Sequence, residues 1–233
     1  MKIQIFVVLM LAVAAKQIAA DKSCHLREMD LCMAIGIFHY QGNGVPSDEE
    51  KVNEWCETLK EVGDCAGNFT NKCMSPLQKE LVSLFSQGSE SAASQFCTQG
   101  SEIRTNYLKY AECLAEASEN DAFKNHMKDL QVAIETVFDS KFKDRLPTLC
   151  CGFRRFDEGI EKNTRENCGE EAIEMAHIIM SMMSTDLPSV ICQTYDPKSS
   201  TCQRLLPVSG TPPKGSESKS QIGRLLGTVF GNV

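Results

Sequence analysis

Twelve cysteines carry the most versatile chemistry in this chain: Cys24, Cys32, Cys56, Cys65, Cys73, Cys97, Cys113, Cys150, Cys151, Cys168, Cys192 and Cys202. Thiols can bind metal, attack a substrate or pair as disulfides, and the compartment decides which. All twelve follow an N-terminal leader in which Lys2 precedes an apolar run over residues 3–15. Small residues at Val13-Ala14-Ala15 or Ile18-Ala19-Ala20 then offer a cleavage site. This is the layout of a secretory signal peptide over residues 1–20, too short in its apolar part to span a bilayer. Secretion to the extracellular space is therefore expected, with the cysteines as disulfide candidates rather than metal ligands or free thiols. An even count permits six bridges. Cys150 and Cys151 are adjacent and would be strained if joined to each other, so each is expected to reach a different segment.

The other reactive residue types give weaker signals. The four histidines are His25, His39, His126 and His177, with no i, i+4 pair and no HExxH or two-Cys-two-His arrangement. His126 and His177 fall in helical stretches and read as near-core or surface residues. Carboxylates cluster at Asp48-Glu49-Glu50, Asp157-Glu158 and Glu170-Glu171-Glu174. The first and third sit near helix starts, where negative charge complements the dipole, and all three read as solvated faces. No G-x-S-x-G elbow or phosphate-cradling glycine loop is present. The run CCGFRRFDEG invites comparison with secreted phospholipase A2, but it holds no histidine and no glycine-rich calcium loop precedes it. No catalytic, cofactor-binding or metal-binding residue is therefore expected. Asn68-Phe69-Thr70 is an N-glycosylation sequon, the one match in the chain. Met175, Met180, Met182 and Met183 surround one helix and suit core packing or an adaptable apolar pocket.

These residues need a scaffold, and its signals are helical. Ser75-Pro76-Leu77-Gln78 carries a capping box with proline at the first helical position, and Ser47 with Glu50 repeats that logic before Val52, Trp55 and Cys56. Apolar residues recur at helical intervals at Ile103, Tyr107, Tyr110, Ala111 and Leu114, and again at Phe123, Met127, Leu130, Ile134 and Val137. A third stripe is Ile173, Ala176, Ile179, Met180 and Met183, and no stretch alternates as a strand would. Cysteine spacing adds a rhythm: Cys24, Cys32 and Cys56 recur 41 residues later as Cys65, Cys73 and Cys97. A 23-residue interval between Cys32 and Cys56 returns between Cys73 and Cys97 and between Cys168 and Cys192. Such an interval fits a Cys-bridged helical hairpin as a repeated unit, with convergent spacing as the alternative.

The expected fold is all-α: a disulfide-stapled helical bundle or stacked helical hairpins with a flexible C-terminal tail. A cysteine-rich helical domain would occupy residues 21–205, with two halves meeting near residues 115–145 as an alternative. Prolines, glycines and serines over residues 206–220 read as a flexible linker. Residues 221–233 form a short amphipathic tail, with Ile222, Leu225, Leu226, Val229 and Phe230 on one stripe and Gly223, Gly227 and Gly231 beside it. That tail could dock a helix or a lipid surface, but with thirteen residues and Arg224 inside it cannot span a membrane. Losing Lys2 and Lys16 with the leader takes the formal net charge from −7 to −9, which argues against nucleic acid or an anionic membrane as principal partner.

From Leu149 to Cys202 the chain resembles the secreted, cysteine-rich helical proteins of arthropods of the haemolymph glycoprotein type. The resemblance is carried by the double cysteine, the aromatic-basic stretch from Phe153 to Phe156, the run Cys168-Gly169-Glu170-Glu171-Ala172, and Cys192 with Cys202. Gly159 stands where members of that group carry a further cysteine. The resemblance implies an extracellular compartment and a helical fold, and it implies no catalytic residues. The functional expectation is non-enzymatic binding of a small apolar ligand or an extracellular protein partner. The alternatives are a secreted hydrolase with a dispersed site and a structural or venom-type secretory component.

Overall fold

The computed structural model describes residues 24–184, 187–219 and 224. The expected leader and, apart from Arg224, the expected tail lie outside the described residues. Ten α-helices are present among the described residues, with no strand: α1 Leu26–Asn43, α2 Glu49–Cys73, α3 Pro76–Cys97, α4 Glu102–Leu108, α5 Ala111–Glu119, α6 Asp121–Asp139, α7 Phe142–Cys168, α8 Ile173–Ser184, α9 Leu187–Cys192 and α10 Ser200–Leu205. None is long and apolar enough to cross a membrane.

The helix starts follow from local chemistry. Ser75 accepts from the Gln78 backbone N–H while the Gln78 side chain accepts from the Ser75 N–H, with Pro76 opening α3. Ser101, Asn120 and Ser199 cap α4, α6 and α10, each side chain accepting one backbone N–H without the reciprocal bond. At α2 the cap is Asp48 rather than Ser47: its Oδ1 accepts from Lys51 N–H at 2.9 Å, and the Ser47 hydroxyl donates to its other oxygen. A carboxylate is the better acceptor for orphan donors at a positive helix end, so the cap falls one residue later. The apolar stripe from Ile103 to Leu114 is also broken, because α4 ends at Leu108 and Tyr110 takes a non-helical conformation before α5.

Six disulfides join all twelve cysteines, as suits a disulfide-rich secreted protein: Cys24–Cys73, Cys32–Cys65, Cys56–Cys97, Cys113–Cys168, Cys150–Cys192 and Cys151–Cys202. Cys150 and Cys151 do reach different segments, the first α9 and the second α10. The 41-residue rhythm has a different origin from a repeated unit. Cys32 to Cys56 runs from α1 round a turn into α2, Cys73 to Cys97 spans α3 alone, and Cys168 to Cys192 covers α8 and α9. No cysteine pairs with the one at the far end of its own interval. The first bridges instead rivet α1 antiparallel to α2, and Cys56–Cys97 ties α3 back onto α2.

The main core gathers Val52 and Trp55 of α2, Phe96 of α3, Tyr107 of α4, Ala111 and Leu114 of α5, Ile160 of α7, and Met175 and Ala176 of α8. Buried polar groups peg it in register. The Tyr107 hydroxyl donates to the Pro46 carbonyl, and Arg104, 2% exposed, donates to Glu49 Oε1 and Asn53 Oδ1, each at 2.6 Å. Helices α6 and α7 form the most extensively packed pair. They approach so closely that a methyl added at Gly152 would overlap the Ala133 methyl, and one at Gly159 would overlap the His126 ring.

One expectation is corrected here. Residues 206–219 do not hang free as a linker but are bound along α6 and α7. The Asp129 carboxylate accepts from the Ser209 hydroxyl and the Gly210 N–H, Glu135 accepts from the backbone N–H groups of Lys214 and Gly215, and Arg155 donates to the Pro207 carbonyl. Leu206 closes a small second core with Ala133, Cys151 and Cys202. The composition is that of a linker, but two buried carboxylates supply fixed acceptors for its backbone.

Candidate functional site

Five helices leave a cavity of about 330 Å³ between them. Each wall follows from a helical stripe: residues three and four apart share a face, so one side of each helix meets the same void. Met33, Ile37 and Tyr40 come from α1, and Leu114 and Ala117 from α5. Phe123, Met127, Leu130 and Ile134 line it from α6, Phe153, Phe156 and Ile160 from α7, and Ala176, Ile179 and Met180 from α8. Trp55 of α2 closes part of the floor, edge-on to His39 at 5.7 Å between ring centroids. Met33 is 42% exposed and stands at the mouth.

Among the polar groups of the lining, Asn163, Ser118 and Tyr40 are engaged, whereas the buried Trp55 Nε1 has no partner among the described residues. Asn163 donates to the Ala117 carbonyl at 3.0 Å and accepts from Asn120, and the Ser118 hydroxyl donates to the Ala115 carbonyl. Burial pushes the Tyr40 phenol up to about 12, with the Glu119 charge acting in the same direction and a hydrogen bond with Ser118 opposing it. Tyr40 is therefore a neutral hydroxyl at any physiological pH. The walls are crosslinked as well. Cys32–Cys65 holds α1 beside Met33, Cys113–Cys168 holds α5 to the end of α7, and Cys150–Cys192 and Cys151–Cys202 hold the middle of α7. Of the five cavity helices, α6 and α8 carry no bridged cysteine.

A second cluster lies on the outer flank of the same wall. The chain reverses after α7 at Gly169, whose φ of 88° is a left-handed value, and α8 then runs back beside α7. This brings His177 between Asp157 and Glu161, which are one turn apart on α7. His177 Nε2 lies 3.6 Å from Asp157 Oδ1 and 3.3 Å from Glu161 Oε1. Burial raises the Asp157 carboxyl above its ordinary value, with the charges of His177 and Arg154 working against that rise. Arg154 donates to the other Asp157 oxygen, Oδ2. One nitrogen and two carboxylate oxygens within 4.8 Å of one another are a donor set able to hold a metal ion.

Three stripes singled out in the sequence thus meet at the cavity: Phe123 to Ile134, Leu114, and Ala176 to Met180. Met175 is core, 4% exposed, whereas Met180 lines the void. Asn68 is exposed near the end of α2, away from the cavity lining. The sequence reading missed the α1 wall and the meeting of His177 with Asp157 and Glu161. The i, i+4 spacing of Asp157 and Glu161 was the available signal, hidden behind the more obvious Asp157-Glu158 pair. No family model, curated protein or solved structure matches the chain.

Proposed function

We propose that this protein is an extracellular, non-enzymatic carrier that holds a small apolar ligand in the cavity between α1, α5, α6, α7 and α8. One observation carries the reading: a void of about 330 Å³ whose lining is apolar on every wall. That size falls at the lower end of small-molecule sites, and an unfilled apolar void of this size costs stability that a ligand restores. Asn163 and Ser118 of the lining are committed to backbone carbonyls, and no acid, base or nucleophile beyond hydroxyls and a neutral phenol faces the void, which favours binding by shape and apolar contact over catalysis. Disulfides around the cavity suit such a role, because crosslinked helices resist collapse into the void. Secretion through the 1–20 leader and a glycan on exposed Asn68 belong to the same reading.

The test is binding of an apolar fluorescent probe, N-phenyl-1-naphthylamine, to the purified full chain, beside its Ile134→Trp variant. The wild type binds one equivalent, and filling the cavity with the indole weakens binding at least tenfold while circular dichroism is unchanged. Absence of binding by the wild type, or equal binding by the variant, overturns the proposal. Native mass spectrometry of the secreted protein then identifies the natural ligand, and enzymatic deglycosylation reports on Asn68.

A further inference from the structure

The geometry points to a zinc-type divalent cation site at Asp157, Glu161 and His177, separate from the apolar cavity and independent of the carrier reading. The argument begins with what the three side chains do not do. His177 Nε2 is buried at the level of the atom and has no hydrogen-bond partner among the described residues. Two carboxylate oxygens nevertheless stand only 3.3 and 3.6 Å from it. A histidine that merely satisfied itself on a carboxylate would aim its N–H at one oxygen. Here two oxygens from different residues stand near Nε2, and neither takes a hydrogen bond from it.

That is the arrangement a shared cation requires. With bonds of about 2.0 Å to a tetrahedral ion, neighbouring donor atoms stand about 3.3 Å apart, off the axis of each donor's own lone pair. The 3.3 Å separation equals that edge, the 3.6 Å one is a little longer, and all three donor atoms lie within 4.8 Å of one another. Asp157 is also held as metal-binding carboxylates are: Arg154 donates to Oδ2 and leaves Oδ1 turned to His177. One imidazole nitrogen with two carboxylate oxygens suits zinc better than calcium or magnesium, which take six or more oxygens. Three protein donors leave a fourth position for water. Exposure fits an accessible site, since the Asp157 side chain is 12%, Glu161 34% and His177 40% exposed.

The bound ion would cross-brace α7 to α8 on the back of the cavity wall. Phe156 and Ile160 neighbour its α7 ligands and Ala176 precedes its α8 ligand, and all three line the void. Zinc would thereby supply, for α8, the kind of crosslink that disulfides supply to α1, α5 and α7.

The experiment is titration of the EDTA-stripped full chain with ZnCl2 by calorimetry, paired with cobalt(II) absorption and thermal melts. The wild type takes up one equivalent, and at a hundredfold excess over Kd the melting temperature rises by roughly 5–10 °C. Glu161→Gln, a conservative change at a partly exposed position, and His177→Ala each weaken binding at least tenfold and abolish the tetrahedral cobalt spectrum. Glu166→Gln, one turn further along α7, leaves both intact. Lack of one-equivalent binding by the wild type overturns the proposal, as does binding that Glu161→Gln and His177→Ala do not reduce. Uptake traced to other surface histidines alone has the same consequence.

Discussion

Helices α1–α3 and the α6–α7 pair are both antiparallel helical assemblies, yet they cohere by opposite means. Three disulfides join α1, α2 and α3 to one another. Their apolar surface is poorly used: Leu31 and Phe38 of α1, and Leu77, Leu81 and Leu84 of α3, are all exposed. The α6–α7 pair has no disulfide between its members. It relies on backbone approach at Gly152 and Gly159, on nine buried residues of α7, and on the buried carboxylates Asp129 and Glu135. Between α1, α2 and α3 covalent crosslinks offset sparse burial, whereas between α6 and α7 close packing stands in for a missing bridge, and the three disulfides of α7 run to other segments. Burial and loop closure are alternative sources of stability, and these two helix contacts draw on them in opposite proportion.

Full reduction should give the largest effect. Bridges with sequence separations of 49, 33 and 41 residues each contribute about 4 kcal/mol by loop-closure entropy. Hydrogen exchange after reduction should show α1–α3 losing protection while α6–α7 retains it. Simultaneous loss in both regions would break the comparison.

Gly152→Ala attacks the other half. The added methyl overlaps Ala133, and the expected loss is about 1–3 kcal/mol in chemical denaturation. A neutral result would mean that α6 and α7 adjust freely and that close approach is not what joins them. Asp129→Ala should cost somewhat less, about 1–2 kcal/mol with water partly replacing its partners, because it orphans the Ser209 hydroxyl and the Gly210 N–H. Proteolysis should then cut within residues 206–219. Resistance equal to wild type would show that Glu135 and Leu206 suffice to hold the segment.

The smallest effect is a pH dependence centred on His126, which faces Gly159 across the pair. Burial holds its imidazole below the ordinary value of 6.5; the Asp129 charge opposes this, and the Lys162 and Arg155 charges reinforce it. The folded state therefore prefers the neutral ring. Its contribution is fully present above pH 6.5 and is lost as the pH falls below that value toward the lowered folded pKa. His126→Gln should flatten the stability profile relative to wild type between pH 7 and 5. Parallel profiles would remove His126 from the contact.

The helices and their caps were largely readable, because capping hydroxyls, proline at the first helical position and a 3.6-residue period act within a few residues of one another. Ser75, Pro76 and Gln78 specify their helix start without help from the rest of the chain. The same locality explains the slips. Ser47 and Asp48 are adjacent acceptors, and the carboxylate takes the cap while the Ser47 hydroxyl donates to it. Residues 206–219 have a linker's composition, and their order comes from Asp129 and Glu135, about 80 residues earlier. The cavity was half legible: its stripes were visible on α5, α6 and α8, but a stripe that lines a void looks like one that fills a core.

Residue type and local spacing, available from sequence alone, determined an all-helical, multiply disulfide-bonded chain, and they separated the partners of Cys150 and Cys151. Tertiary structure decided which cysteines pair, that the cysteine rhythm marks no repeated unit, and that five apolar faces enclose space instead of meeting. It also brought His177 of one helix between two carboxylates of another. Capping and periodicity are interactions over one or two helical turns, whereas pairing, enclosure and coordination depend on where whole helices lie. That placement is set by the summed packing of distant segments.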